Sequence, residues 1–117
     1  MLNLSLGKAG EVIAGKFLAA RGFTVLERNY KCPLGEVDLV AAQREVLYFI
    51  EVKTRASIAY GWPAESVTPA KQNKLRKLAR YYLITRKYDG PVAFGVIEVL
   101  YNGWRRKYLV NFIANAF

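Results

Sequence analysis

The period of the apolar and polar positions changes along the chain, and each change marks an element. Val12, Ile13, Phe17 and Ala20 keep helical spacing, and Gly22 follows Arg21 as a stop, which predicts a helix over 6–21 with those four residues as its contact face. Phe23 to Tyr30 reads as a strand, and Pro33 and Gly35 break the chain between Lys31 and Gly35. Two further strands are predicted, Glu36 to Ala41 and Val46 to Thr54. The residues between them are too few for a helix, so the pair is an antiparallel hairpin closed by a tight polar turn. Residues 56–67, with Gly61, Trp62 and Pro63, read as irregular. Thr68 is a good N-cap and Pro69 suits the first helical position, opening a helix over 68–87 with Leu75, Leu78, Ala79, Tyr82 and Leu83 as its buried stripe. Val92 to Leu100 and Trp104 to Val110 read as a last strand pair around an Asn102-Gly103 turn, and the tail 112–117 is expected to pack apolar side down. The order αβββαββ predicts a single α/β domain with a central mixed sheet flanked by two helices, because the strand after the long helix can return parallel to an earlier one.

The hairpin carries charges where its pattern is otherwise apolar. Side chains alternate faces along a strand, so Glu36, Asp38 and Val40 share one face, as do Leu47, Phe49, Glu51 and Lys53. Val37, Leu39, Ile50 and Val52 are expected on the opposite face. If even residues of the first strand stand opposite odd residues of the second, Asp38, Glu51 and Lys53 converge; a slip of one residue separates them. Charges in so apolar a strand cost several kcal/mol unless paired or metal-bound. Two readings follow: a structural ion pair between Lys53 and the acids, or a metal site on the two carboxylates.

Composition narrows the chemistry. The chain has 117 residues, is 53% hydrophobic and holds a single cysteine, Cys32, so neither an internal disulfide nor a cysteine cluster for zinc is available. The absence of histidine excludes Ser-His-Asp and Cys-His nucleophiles and histidine-ligated metals. Hydrolysis must run on carboxylates, lysine, tyrosine or a hard oxygen-bound cation. No apolar run approaches a transmembrane length and the N-terminus lacks the build of a secretory signal, so a cytoplasmic protein without a membrane partner is expected.

Charge sharpens this. Eighteen Lys and Arg against nine Asp and Glu give a net +9, which points to a polyanion and first to nucleic acid. The long helix carries Lys71, Lys74, Arg76, Lys77, Arg80, Arg86 and Lys87 with no acid before Asp89, an unneutralised face that suits phosphates. Arg105 to Lys107 is a second basic run, and Tyr60 and Trp62 are candidates for stacking on bases or for pinning their loop. Glu11 by itself reads as a solvated helix residue.

Gly35-Glu-Val-Asp-Leu-Val40, eight residues, then Phe49-Ile-Glu-Val-Lys-Thr-Arg55 resembles the metal-site motif of the restriction-endonuclease-like fold. With Gly10-Glu11, Asn29 to Leu39, Tyr60-Gly61, Val67 to Gln72 and the terminal Asn115-Ala116-Phe117, nearly the whole chain resembles the YraN family of predicted bacterial endonucleases, related in fold to archaeal Holliday-junction resolvases. The resemblance implies Mg²⁺ or Mn²⁺ on Asp38, Glu51 and the Val52 carbonyl, with Glu11 reaching the same site and Glu36 as a secondary candidate. It implies Lys53 at the attacking water, and Gln72 and Lys71 near the phosphate or the water. Lys74, Lys77, Arg80 and Arg55 would then grip DNA, and a homodimer is one assembly the resemblance suggests. Gly95 departs from the pattern: the family usually has an acid there.

Overall fold

The computed structural model describes residues 5–56, 67–102 and 107–117. Its order is α1 (Leu6–Ala20), β1 (Thr24–Cys32), β2 (Gly35–Gln43), β3 (Val46–Arg55), α2 (Pro69–Arg86), β4 (Val92–Asn102) and β5 (Lys107–Ile113). The strands form one sheet in the order β1-β2-β3-β4-β5. β1, β2 and β3 are an antiparallel meander, α2 carries the chain across to β4 parallel to β3, and β5 returns antiparallel. The α/β class, the mixed sheet and the αβββαββ order are as the pattern predicts. The expected loop with Tyr60 and Trp62, the Asn102-Gly103 turn, the start of the last strand at Trp104, and Arg105 and Arg106 lie outside the described residues. Among those described, no helix is long and apolar enough to cross a membrane.

The helices close opposite faces of the sheet. Ala14 and Leu18 of α1 pack on Leu39, Ala41, Ile50, Ile97 and Val99. Leu75, Leu78, Ala79 and Tyr82 of α2 pack on Val37, Val40, Leu47 and Phe49. The Thr68 cap and the Gly22 stop act as expected, and Ser5 adds a cap to α1. The Ser5 and Thr68 side chains accept from the Lys8 and Lys71 amides, and Gly22, at φ +86°, ends α1 while Phe23 N–H returns to the Leu18 carbonyl.

The face of α1 differs from the prediction. Its buried residues are Gly10, Ala14, Gly15 and Leu18, while Val12 is 42% exposed, Ala20 is exposed, and Ile13 and Phe17 only flank the cluster. Small residues let the helix lie closer to the sheet than large ones would. A Cβ on Gly10 would stand 1.9 Å from Thr54 Oγ1, and one on Gly15 would stand 2.2 Å from an Arg28 nitrogen.

The hairpin has the register that joins its charges. Val40 pairs with Phe49 and Ala42 with Leu47, so even residues of β2 face odd residues of β3. Its turn is Arg44-Glu45, both at positive φ (50° and 70°), the geometry of a type I′ turn without the usual Asn-Gly. The ladder ends at Leu39–Ile50. Beyond it β2 turns, and Val37, expected beside Leu39, packs instead in the α2 cluster with Val40.

Candidate metal-dependent active site

Where the β2–β3 ladder stops, a side chain takes over from the backbone. Asp38 Oδ2 accepts from the Val52 N–H at 2.7 Å, which fixes its carboxylate beside the next residue pair. Asp38 and Glu51 are thereby brought together, as the register predicts, and lie within hydrogen-bonding reach of each other. Glu51 is only 6% exposed. α2 begins over this point because the crossover from β3 returns antiparallel to the strands, and Lys71 Nζ stands 3.3 Å from Glu51 Oε2.

Electrostatics follow from burial and crowding. Burial, then the neighbouring Asp38 charge, pushes the Glu51 carboxyl up to about 7 despite Lys71 and Lys53. Burial also raises Asp38; the Val52 N–H opposes this, and the Glu11 charge adds to it. Lys53 is pulled below the usual ammonium range by burial and by its hydrogen bond and like charge with Lys71. Lys71 rises despite its own burial, through its bond to Lys53 and the charge of Glu51. The centre is thus two crowded carboxyls beside two neighbouring amines, of which Lys71 is paired with Glu51.

The other predicted residues divide. Glu11 approaches the centre because Gly10 lets α1 press against Thr54; its Oε1 is buried without a hydrogen-bond partner and lies 3.6 Å from Lys8 Nζ. The expectation of a solvated Glu11 is therefore corrected by the close helix–sheet contact. Val52 contributes its N–H to Asp38. Glu36 stays outside, with a 70% exposed side chain 4.0 Å from Lys31 Nζ. Gln72 Nε2 donates to the Val67 carbonyl at 3.1 Å, tying the start of its own helix. Lys74, Lys77 and Arg80 are exposed along α2, and Arg55 ends β3 half-buried opposite Leu100. Arg76 lies over the Phe94 and Phe117 rings, so it belongs to the packing of the tail.

One pair escaped the sequence reading. Glu98 is in register with Lys53, is 1% exposed, and accepts from Asn111 Nδ2 at 2.7 Å, leaving Oε2 unpartnered. Asp38, Glu51 with Lys53, Glu98 and Asn111 form a polar row across β2 to β5 on the α2 side. The signal was a lone acid in the apolar run Val92 to Leu100, the same signal that exposed Glu51.

The donor set fits a hard cation. Half-buried Asp38 and buried Glu51 offer hard carboxylate oxygens, and among the described residues no group of three or more His, Cys, Asp or Glu stands together. A centre with few protein oxygens and room for water and phosphate is what Mg²⁺ favours.

Comparison with known proteins agrees over nearly the full length. Residues 10–99 match the model of a family described as "Uncharacterised protein family UPF0102". A UPF0102 protein of Clostridium perfringens is 43% identical over 116 residues, covering 98% of this chain and 95% of the relative. A UPF0102 protein of Clostridium botulinum is 43% identical over 117 residues with the same coverage. The chain, with its acid-bearing hairpin inside the matched segment, belongs to the UPF0102 family.

Proposed function

We propose that the chain is a metal-dependent endonuclease of restriction-endonuclease-like fold that hydrolyses DNA phosphodiester bonds, with branched or repair intermediates as its substrates. The observation that carries the reading is geometric: Asp38 and Glu51 meet where the β2–β3 ladder ends, under the first turn of α2, with Lys71 3.3 Å from Glu51.

Asp38 and Glu51 would hold Mg²⁺ or Mn²⁺, with Glu11 and the Val52 carbonyl as the further oxygens the motif implies. When bound, the cation supplies a Lewis acid for the phosphate and lowers the pKa of an attacking water. Lys53, pulled toward its neutral form, sits to orient that water and take up its proton as the water oxygen bonds to phosphorus and the phosphorus–oxygen bond to the leaving sugar breaks. Lys71, held charged against Glu51, offsets charge on the non-bridging oxygens. Lys74, Lys77 and Arg80 grip the backbone to either side. A junction presents two scissile strands, which a homodimer of this chain would match.

An endonuclease assay on single-stranded, duplex and branched DNA in Mn²⁺, with Asp38→Asn as control, tests the reading. Cleavage by wild type and none by Asp38→Asn is expected. DNA binding without cleavage in any divalent cation would leave the second reading, a nucleic-acid-binding module of the same fold.

A further inference from the structure

Beside the acids lies a cavity of about 680 Å³, within the range of small-ligand sites. Its walls are of two kinds. Leu34, at the β1–β2 turn, with Leu75 and Leu78 of α2, gives an apolar lining, and Lys71, Lys74, Glu51 and the outward-lying Glu36 give a charged one. Glu51 belongs both to the cavity and to the carboxylate pair, so whatever fills the cavity is contiguous with what binds the acids. Leu75 and Leu78 form the floor, 3% and 1% exposed within the α2 cluster, and Leu34 at the rim stays open, 46% exposed.

We propose that this cavity receives one unpaired nucleotide of the DNA strand, the one adjoining the scissile phosphate. The inference rests on the nuclease reading and names its substrate class. A nucleotide has both surfaces the cavity offers: a base with an apolar face for the exposed Leu34, and flanking phosphates for Lys71 and Lys74. A strand whose phosphate reaches Asp38 and Glu51 must place its neighbouring nucleoside within a few ångströms, where the cavity opens. A base stacked inside an intact duplex cannot enter, and unstacking costs least where the base is already unpaired. The favoured substrates are therefore flaps, gaps and branch points, where such a base is presented.

The test is 2-aminopurine walked position by position through the unpaired arm of a branched DNA, with Ca²⁺ replacing the catalytic cation. Removal from stacking into the cavity should raise its fluorescence several-fold at a single position. Ala70→Leu, which adds bulk to the cavity wall, and Leu34→Ser, which removes its apolar edge on an exposed turn, should each abolish most of that rise. Both should leave the Mn²⁺-induced rise in Tm unchanged. No brightening at any position in wild type, or undiminished brightening in both variants, overturns the proposal. Cleavage of the same DNA in Mn²⁺ is scored separately. Cleavage without brightening rejects the cavity and keeps the nuclease; brightening without cleavage keeps the cavity and rejects the nuclease.

Discussion

The two faces of the sheet are closed by helices of opposite character. α1 meets its face through Gly10, Ala14, Gly15 and Leu18; the contact is close, apolar at Ala14 and Leu18, with Thr54 and Arg28 lying against the two glycines. α2 meets its face through Leu75, Leu78, Ala79 and Tyr82, but its first turn stands over Glu51 and its outer side is cationic. The difference shows how one small core carries both stability and chemistry. The tight face supplies rigidity, and the polar row is confined to the other, at the end where the β2–β3 ladder has opened. Glu11 of α1 is near enough for its charge to act on Asp38, which follows from how close α1 lies.

The largest expected effect is on the α2 side. Asp38→Asn and Lys53→Met should each lower Mn²⁺-dependent cleavage on the order of 10³-fold, several kcal/mol of lost transition-state stabilisation, with DNA binding retained. Lys53→Met should also destabilise the metal-free protein, because it leaves Lys71, among the described residues, as the one lysine beside the two acids, and saturating Mn²⁺ should restore folding and not cleavage. Melting curves and single-turnover rates separate the two. A Lys53→Met protein that cuts as fast as wild type would remove the lysine from the mechanism.

Next is pH. The folded Glu51 carboxyl, raised from 4.5 to about 7, binds a proton that the unfolded chain has released over that interval. Stability of the metal-free protein should therefore fall as pH rises from about 4.5 through 7, by at most about 3 kcal/mol from this group. Glu51→Gln should flatten the slope and stabilise the protein at pH near 8 while removing Mn²⁺ binding. A slope unchanged by Glu51→Gln would place the proton elsewhere.

Reversal of Lys74, Lys77 and Arg80 to glutamate should weaken DNA binding on the order of 10²-fold near 0.1 M salt and make its salt dependence shallower, for all sequences alike. Tm should hardly move, because these side chains are exposed. The counterpart on the other face is Gly10→Ala. Its new methyl meets Thr54 Cβ at 2.8 Å, so it should cost about 1–3 kcal/mol. Gly10→Ala should leave DNA affinity intact, and a variant losing affinity along with stability would show that the faces are not separable.

The element order, the hairpin and the meeting of Asp38, Glu51 and Lys53 were legible because period-two alternation and a two-residue turn tolerate few arrangements. The contact face of α1 was not, because hydrophobicity marks large residues while this contact is made by small ones. The Arg44-Glu45 turn carries no residue that advertises positive φ. Val37 broke the alternation because β2 turns where Asp38 replaces the ladder. Lys71, which the charge pattern read as cationic surface and the resemblance set near the phosphate or the water, stands against Glu51 because α2 starts above the acids. Glu98 was passed over because it lay outside the hairpin, although parallel pairing puts it beside Lys53.

Gly95 bears on how such a chain can change over generations. A Cβ there would stand 3.0 Å from the Phe112 ring and 3.2 Å from the Ile113 carbonyl oxygen, and Phe112 is locked edge-on against Phe17, Phe23 and Tyr48. Position 95 lies on the α1 side of β4, with Ile97 and Val99, away from the polar row. An acid introduced here would meet an aromatic knot and no partner charge. The residue at 95 and the ring at 112 are therefore coupled: a side chain at 95 needs Phe112 to give way, so substitutions at the two positions should not be independent.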